Sequence, residues 1–424
     1  MTTAQPPGSD KDDCSSPTQL SVEEALQRIL NPLQTVTETE TLPIDQALGR
    51  IIATPVLAPI AVPGNDNSAM DGYALSSDDF RLANTSGLPL SGRSMAGHPY
   101  GLQLPMGSCV RIMTGAVVPD GADTVVMQEQ VELNNDRVVF PSNLKTGNNI
   151  RLAGEDLQLG QTVLASGHLL KPADIGLLAS LGLTEVTLFR KIRTAFFSTG
   201  DELIAGGTPL QPGQIYDSNR HTLTALLQLA FIEPIDLGLI GDQPGLIRTA
   251  FQQASSAQHS GADVIITSGG VSVGDADYVK EVLDEQGEID FWRIAIKPGR
   301  PLAFGKIDQA WFFGLPGNPV SSYVTFDLFT RPALYKLAGA APVKPLQIKA
   351  KLTRAIVKRP GRTEYQRGYY VQASDGSLTV ASTGNQSSGV LSSISLANCY
   401  IVLSADSAGA VEDDLVTIEP FTDR

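Results

Sequence analysis

The stretch ADVIITSGGVSVGDADYVKEVL concentrates more potential chemistry than any other part of the chain. A buried-type apolar run opens into Ser268, Gly269, Gly270, Ser272 and Gly274, and a helix is then entered through Asp275 and Asp277. Backbone amides in such a loop can cradle an anion, because glycine lets the main chain approach a ligand closely and a helix N-terminus adds positive potential. The competing reading is a tight turn with Asp275 or Asp277 as the helix cap. A single glycine-rich loop does not separate the two.

Acids recur wherever an apolar run ends. Asp201 and Glu202 follow FFST, Asp242 follows LGLIG, and Asp275 and Asp277 follow ITSGG. On a parallel sheet these ends share one edge, and Mg2+ is bound by a few carboxylates plus water and substrate phosphate. Taken singly, each acid serves equally well as a cap or a solvated loop group. Counter-charges appear in FWRIAIKPGRPLAFG, where Arg293, Lys297 and Arg300 suit a phosphate or another oxyanion, or else a snorkelling strand residue and a solvated turn. The turn GLPGNPVSS, with Pro316, Gly317, Asn318 and Pro319 ahead of a helix, predicts a second anion-facing terminus at residues 320–322.

Other groups are more ambiguous. In VPGNDNSAMDGYAL, Asp66 and Asp71 are metal or hydrogen-bonding groups, or they hold an Asx-turn loop together; Thr114 and Glu129 pose the same choice. In KRPGRTEYQRG, Arg362 and Arg367 flank an expected exposed turn, and GNQSSGVLSS, which includes Ser388, offers hydroxyls for an oxyanion pocket. The four histidines (His98, His168, His221 and His259) show no triad-like setting, and no cysteine sits in an electropositive motif.

These groups need a scaffold, and its outline is legible. Residues 1–18 are rich in Pro, Ser, Asp and Gly and predict a disordered tail. Ser21 to Glu24 form a capping box ahead of Val22, Leu26, Ile29 and Leu30 at helical spacing. From about Ile51 to Asn149, short Val, Ile and Thr runs between Gly, Pro and Asn predict a β-rich domain. A helix returns at KPADIGLLASLG, with Pro172 in its first turn and Gly182 at its C-terminal cap.

Between Ile192 and Leu337 the apolar runs TAFFST, IDLGLI, ADVIITS, FWRIAI and WFFGLP alternate with helical patterns marked by Leu223 and Leu227, by Ile247 and Phe251, and by Val279 and Leu283. This predicts a largely parallel α/β sheet, with ligands at the carboxyl ends of its strands. After Pro345, LQIKAKL, GYYVQA, SLTVAS and CYIVLS, with an Asp375-Gly376 hairpin signal, predict a small all-β domain.

The chain has 424 residues, 42% of them hydrophobic, enough for several cores without disulfides. Its net charge of −14 argues against a duplex nucleic-acid binder. Cys14, Cys109 and Cys399 lack any paired spacing, and no apolar run approaches membrane-spanning length. The expectation is a cytoplasmic protein in a reducing compartment, with no membrane partner.

With PGNDNSAMDGYA, RIMTGA, GEDL, FSTGDEL, GQIYDSNR, TSGGVSVGDADY, IKPGRPLAFG, GLPGNPVSS and PGRTEYQRG in that order, the chain resembles the molybdopterin molybdenumtransferase family, of the MoeA type and related to the E domain of gephyrin. The resemblance runs from about Thr18 to the C-terminus. It implies a multidomain α/β plus β fold in a homodimer. The parts are a discontinuous linker domain (residues 19–55 and 149–190), a β-rich domain (56–148), a molybdopterin-binding α/β domain (191–338) and a C-terminal β-barrel (339–424).

The implied reaction is insertion of molybdenum from molybdate into adenylylated molybdopterin, with release of AMP. Carried over by motif, Glu202, Asp242 and Asp277 serve Mg2+ and the adenylate end, and the loop from Ser268 to Gly274 holds phosphates together with Pro316, Gly317 and Asn318. Arg293 and Lys297 serve phosphate or molybdate, Arg362 and Ser388 reach in from the barrel, and Asp66 and Thr114 come from the second subunit. Arg293 stands where the bacterial pattern often has lysine, so a planar fork replaces a point charge. The family also implies contact with the adenylyltransferase and other cofactor-assembly proteins. Two rival readings are an adenylyltransferase that consumes ATP and a gephyrin-like scaffold.

Overall fold

The computed structural model describes residues 19–255, 261–270, 279, 281–283, 287–341 and 344–421. The expected tail, Cys14, His259, Ser272, Gly274, Asp275 and Asp277 lie outside the described residues. The described chain forms two compact units, one made of Thr41–Leu48 and Ile52–Thr187 and the other of the remainder.

In the smaller unit a six-stranded sheet runs, edge to edge, through Thr124–Met127, Gly72–Leu75, Cys109–Ile112, Leu88–Ser94, Arg137–Val139 and Glu132–Asn134. Short strands separated by Gly and Asn turns are what the β-rich pattern predicts. The core forms where alternate residues face inward: Tyr73, Leu75, Leu88, Cys109, Val126 and Val138 are buried together. Helix Pro172–Ser180 begins with Pro172 in its first turn, and Gly182 follows it at φ +75°. Leu177 and Leu181 of that segment pack with Ala58 and Leu157.

The larger unit opens with helix Val22–Leu30, whose capping box is formed as predicted, Ser21 accepting from Glu24 N and Glu24 accepting from Ser21 N. Its α/β part is built on six strands in the order Ile232–Ile240, Ile192–Thr199, Val264–Ser268, Ala310–Leu315, Pro301–Ile307, Gly287–Arg293. The first four are parallel, but Pro301–Ile307 runs antiparallel to both its neighbours. The expectation of a largely parallel sheet therefore holds, with Pro301–Ile307 as its one reversed strand. The tight reversal at Asp308, which has φ +53°, folds LAFGKI back on WFFGL as a hairpin, a local turn the helical alternation did not disclose.

Helix Pro244–Ser255 covers this sheet through Ile247, Ala250, Phe251 and Ala254, all buried. Phe251 meets Phe197 and Phe312 edge-on at centroid distances of 5.5 and 5.8 Å. Burying each such ring contributes roughly 1.5–3 kcal/mol. The core thus clamps the central strands whose ends carry the acids and glycines.

The C-terminal strands Ile348–Leu352, Thr363–Gln372, Leu378–Ser382, Cys399–Leu403 and Leu415–Pro420 close into a five-stranded barrel, because Thr363–Gln372 pairs with both Leu378–Ser382 and Cys399–Leu403. Asp375 and Gly376 make the predicted hairpin, with Gly376 at φ +86°. Arg367 corrects one expectation: it is not beside an exposed turn but 1% exposed. The strand alternation puts it on the side of its cross-strand partner Tyr400, away from the barrel core of Cys399, Ile401 and Leu403, and there Ser393 Oγ and the Ser387 carbonyl accept its hydrogens.

Candidate active site

Chain order explains why a cavity opens where it does. The strand Ile192–Thr199 is followed by its neighbour on one side, Ile232–Ile240, and then by its neighbour on the other, Val264–Ser268. Such a reversal leaves a crevice at the carboxyl ends, where ligands bind in open α/β sheets. Here the crevice is a cavity of about 850 Å3 walled by Thr199, Glu202, Asp242, Ser268 and Gly269, with further walls from residues 215–219, 316–319 and Gly389.

Each strand end delivers its chemistry in a fixed posture. Gly269 has φ +99°, and a Cβ there would lie 2.6 Å from the Thr199 carbonyl oxygen; at Gly270 it would lie 2.2 Å from Val279 Cγ2. No side chain fits, so both positions demand glycine and leave backbone facing the cavity. Thr199 Oγ1 donates to Asp242 Oδ1. Asp242 N donates to Asp201 Oδ1 at 3.0 Å, so Asp201 acts as a clasp outside the wall and orients Asp242 within it.

The sequence reading missed two residues of this wall. Asn219 Nδ2 donates to Ser268 Oγ and to the Gly317 carbonyl, both at 2.7 Å, and so joins the two glycine turns. Asp217, 5% exposed, accepts from Ser198 Oγ and is ion-paired with Arg220 at 3.2 Å. Both residues lie within the GQIYDSNR motif, but no local pattern distinguishes their cross-strand bonds from a solvated loop.

Of the predicted site residues, Glu202, Asp242, Ser268, Gly269, Gly270, Pro316, Gly317 and Asn318 share this one cavity. Arg293, Lys297, Arg362 and Ser388 do not line it. Lys297 Nζ instead lies 3.2 Å from Glu364 Oε1, whose second oxygen accepts from Gln366. The Ser388 carbonyl accepts from Val320 N, and Ser322 N is taken up by Asn318 within the helix. That corrects the expected anion-facing terminus at residues 320–322, because two of its three amides already have acceptors.

In the smaller unit the carboxylates hold loops together. Asp66 Oδ1 accepts from Ala153 N, and Asp71 Oδ1 accepts both the amide and the hydroxyl of Thr114. Those two hydrogen bonds hold the Asp71 carboxyl below the usual carboxylate range. Neither Cys109 nor Cys399 is a nucleophile, since burial pushes both thiols up to about 12.

Among the described residues no three acids, histidines or cysteines are grouped to hold a metal. Glu202 and Asp242 are two hard oxygen donors in the wall, and Mg2+ is commonly bound by one or two carboxylates with water and phosphate filling its shell. The donor set therefore fits such an ion without a third protein ligand.

Comparison with known proteins follows the same outline. Residues 20–182 match a model of the MoeA N-terminal region, domains I and II; residues 195–336 match one described as a probable molybdopterin binding domain; residues 349–421 match the MoeA C-terminal region, domain IV. The molybdopterin molybdenumtransferase of Haemophilus influenzae is 46% identical over 404 residues, covering 95% of this chain and 98% of that protein. That of Nostoc sp. is 42% identical over 312 residues, 72% and 70% of the two chains. A crystal structure of a molybdopterin biosynthesis MoeA protein from Pyrococcus horikoshii superposes with a TM-score of 0.82 at 29% identity, over 95% of this chain and all of that one. Motif order, fold and relatives agree, and the chain belongs to the molybdopterin molybdenumtransferase family of the MoeA type.

Proposed function

We propose that this protein inserts molybdenum from molybdate into adenylylated molybdopterin and releases AMP, the last stage of molybdenum cofactor assembly. The observation that carries the reading is the meeting of carboxylates, glycine backbone and the Asn219 clasp in one cavity at the switch point of the sheet. Its volume suits a small-molecule ligand. The names borne by the relatives favour this reading over an ATP-consuming adenylyltransferase or a receptor scaffold.

In this proposal the backbone at Gly269 and Gly270 binds the phosphates, and Glu202 and Asp242, with Asp277, would hold Mg2+. A bound Mg2+ would neutralise charge on phosphate oxygens. Asn219 keeps the two glycine turns at fixed separation, and Thr199 orients the Asp242 carboxyl. Lys297, Arg293, Arg362 and Ser388 are assigned to molybdate. Glu364 anchors Lys297 until the dianion arrives.

Asp66 and Thr114 are assigned to the same reaction through a second copy of the chain in a homodimer. The domain boundaries set out from the sequence, the cytoplasmic location and contacts with other assembly proteins belong to this proposal as well. Buried free thiols at Cys109 and Cys399 suit a reducing compartment.

The test incubates purified protein with adenylylated molybdopterin, Mg2+ and molybdate, following AMP and the activation of an apo-enzyme that needs the finished cofactor. AMP and active cofactor should appear together. ATP consumption with pyrophosphate release would instead establish the adenylyltransferase.

A further inference from the structure

The smaller unit has a concave site of its own. A cavity of about 680 Å3 is lined by Tyr73, Arg93, Met95, Arg111, Met113 and Arg137, with Asp136 as its one acid. The composition around it makes this notable. The unit carries fourteen Asp and Glu but seven Lys and Arg, and three of those seven converge on this cleft. In an acidic surface that arrangement concentrates positive potential in one concavity.

Two of the cations are held in advance. Arg111 Nη1 donates to the Gly72 carbonyl at 2.7 Å and Nη2 donates to Gln128 Oε1, while its guanidinium carbon lies 5.0 Å from the centre of the Tyr73 ring. The guanidinium is thus held against an aromatic ring, and both groups line the cleft. Arg137 is fixed to the Gly87 carbonyl. Arg93 is exposed on the rim, and Met95 (43% exposed) and Leu90 (44%) add apolar surface beside it.

Fixed guanidiniums bind phosphate through paired N–H donors, and a guanidinium plane stacks on flat rings. The volume exceeds what a bare ion needs and falls within the range of small organic ligands. We propose that this cleft binds a phosphate ester carrying a flat heteroaromatic ring, the phosphate held by Arg93 and Arg137 and the ring laid against Arg111. The inference stands on the geometry of the smaller unit alone and holds whichever substrate the larger unit's cavity takes.

The probe is 8-azidoadenosine monophosphate, photolysed on the full chain and followed by peptide mapping. Label is expected within residues 88–113 or 131–138, competed by AMP and at least about tenfold less well by adenosine or inorganic phosphate. The double variant Arg93→Ala, Arg137→Ala should lose about tenfold in labelling there with an unchanged melting temperature. Arg111→Lys keeps the charge but removes the plane, and should weaken AMP while leaving phosphate competition as it was. Label confined to residues 199–219, or labelling at 88–113 indifferent to the double variant, overturns the proposal. Turnover of adenylylated molybdopterin by the same double variant is a separate reading, so loss of one result leaves the other standing.

Discussion

The amide nitrogen of Asn219 sits 2.7 Å from the hydroxyl oxygen of Ser268, and its second hydrogen reaches the Gly317 carbonyl at the same distance. One side chain therefore sets the spacing of the two glycine turns that face the cavity. Replacing it by Ala removes two hydrogen bonds, a loss of roughly 1–3 kcal/mol of local order. If Asn219 positions rather than contacts substrate, kcat for AMP release should fall about tenfold to a hundredfold with a smaller change in KM. A raised KM with kcat unchanged would assign it to ground-state binding instead.

Glu202 and Asp242 supply the carboxylates of the proposed metal site. Glu202→Gln and Asp242→Asn should each raise the Mg2+ concentration needed for half-maximal AMP release by about tenfold or more, because a neutral amide replaces a hard anionic ligand. Isothermal titration of Mg2+ in the presence of AMP gives an independent reading. A variant whose Mg2+ requirement matches the parent removes that residue from the metal site.

The Asp71–Thr114 link makes a pH prediction. A carboxyl held below its ordinary range contributes stability that is complete above its unfolded pKa and is lost as pH falls through the folded one. The stability gap between the parent and Asp71→Asn should therefore be constant above about pH 5 and close on acidification below about pH 4. Urea melts across that window measure it, and a gap that widens in acid contradicts the assignment.

Cys109 and Cys399 are buried, with thiols pushed up to about 12. At pH 8 iodoacetamide should leave both unmodified in the native protein and alkylate both in denaturant, as read by peptide mass spectrometry. Modification of either without unfolding would mean that its burial is not maintained in solution.

Arg367 is 1% exposed and joins its strand to the loop that carries Ser387 and Ser393. Arg367→Met leaves those acceptors without a buried donor and should destabilise the barrel by about 2–4 kcal/mol. The drop in unfolding midpoint is the measurement, with activity retained below the new midpoint if the loop serves only as structure.

Much of this molecule was readable before folding. The capping box at Ser21, the Asp375-Gly376 hairpin, the helix from Pro172 and the face of Ile247, Ala250, Phe251 and Ala254 all depend on bonds or periodicities within a few residues. The acids and glycines at strand ends were legible for the same reason: where an apolar run stops, the chain must turn at the edge of the sheet. Motif order supplied the family.

What tertiary structure alone decided is which of those ends meet. Asn219 reaches Ser268 across 49 positions and Gly317 across 98, and Asp71 reaches Thr114 across 43. Such pairings depend on strand order, which local propensity does not encode. The same holds for Arg367, whose neighbours in sequence suggested a solvated turn, and for the antiparallel hairpin of residues 301–315. Burial beneath a later loop and the direction of a strand between two neighbours are properties of the assembled sheet, and they exist only once distant segments have paired.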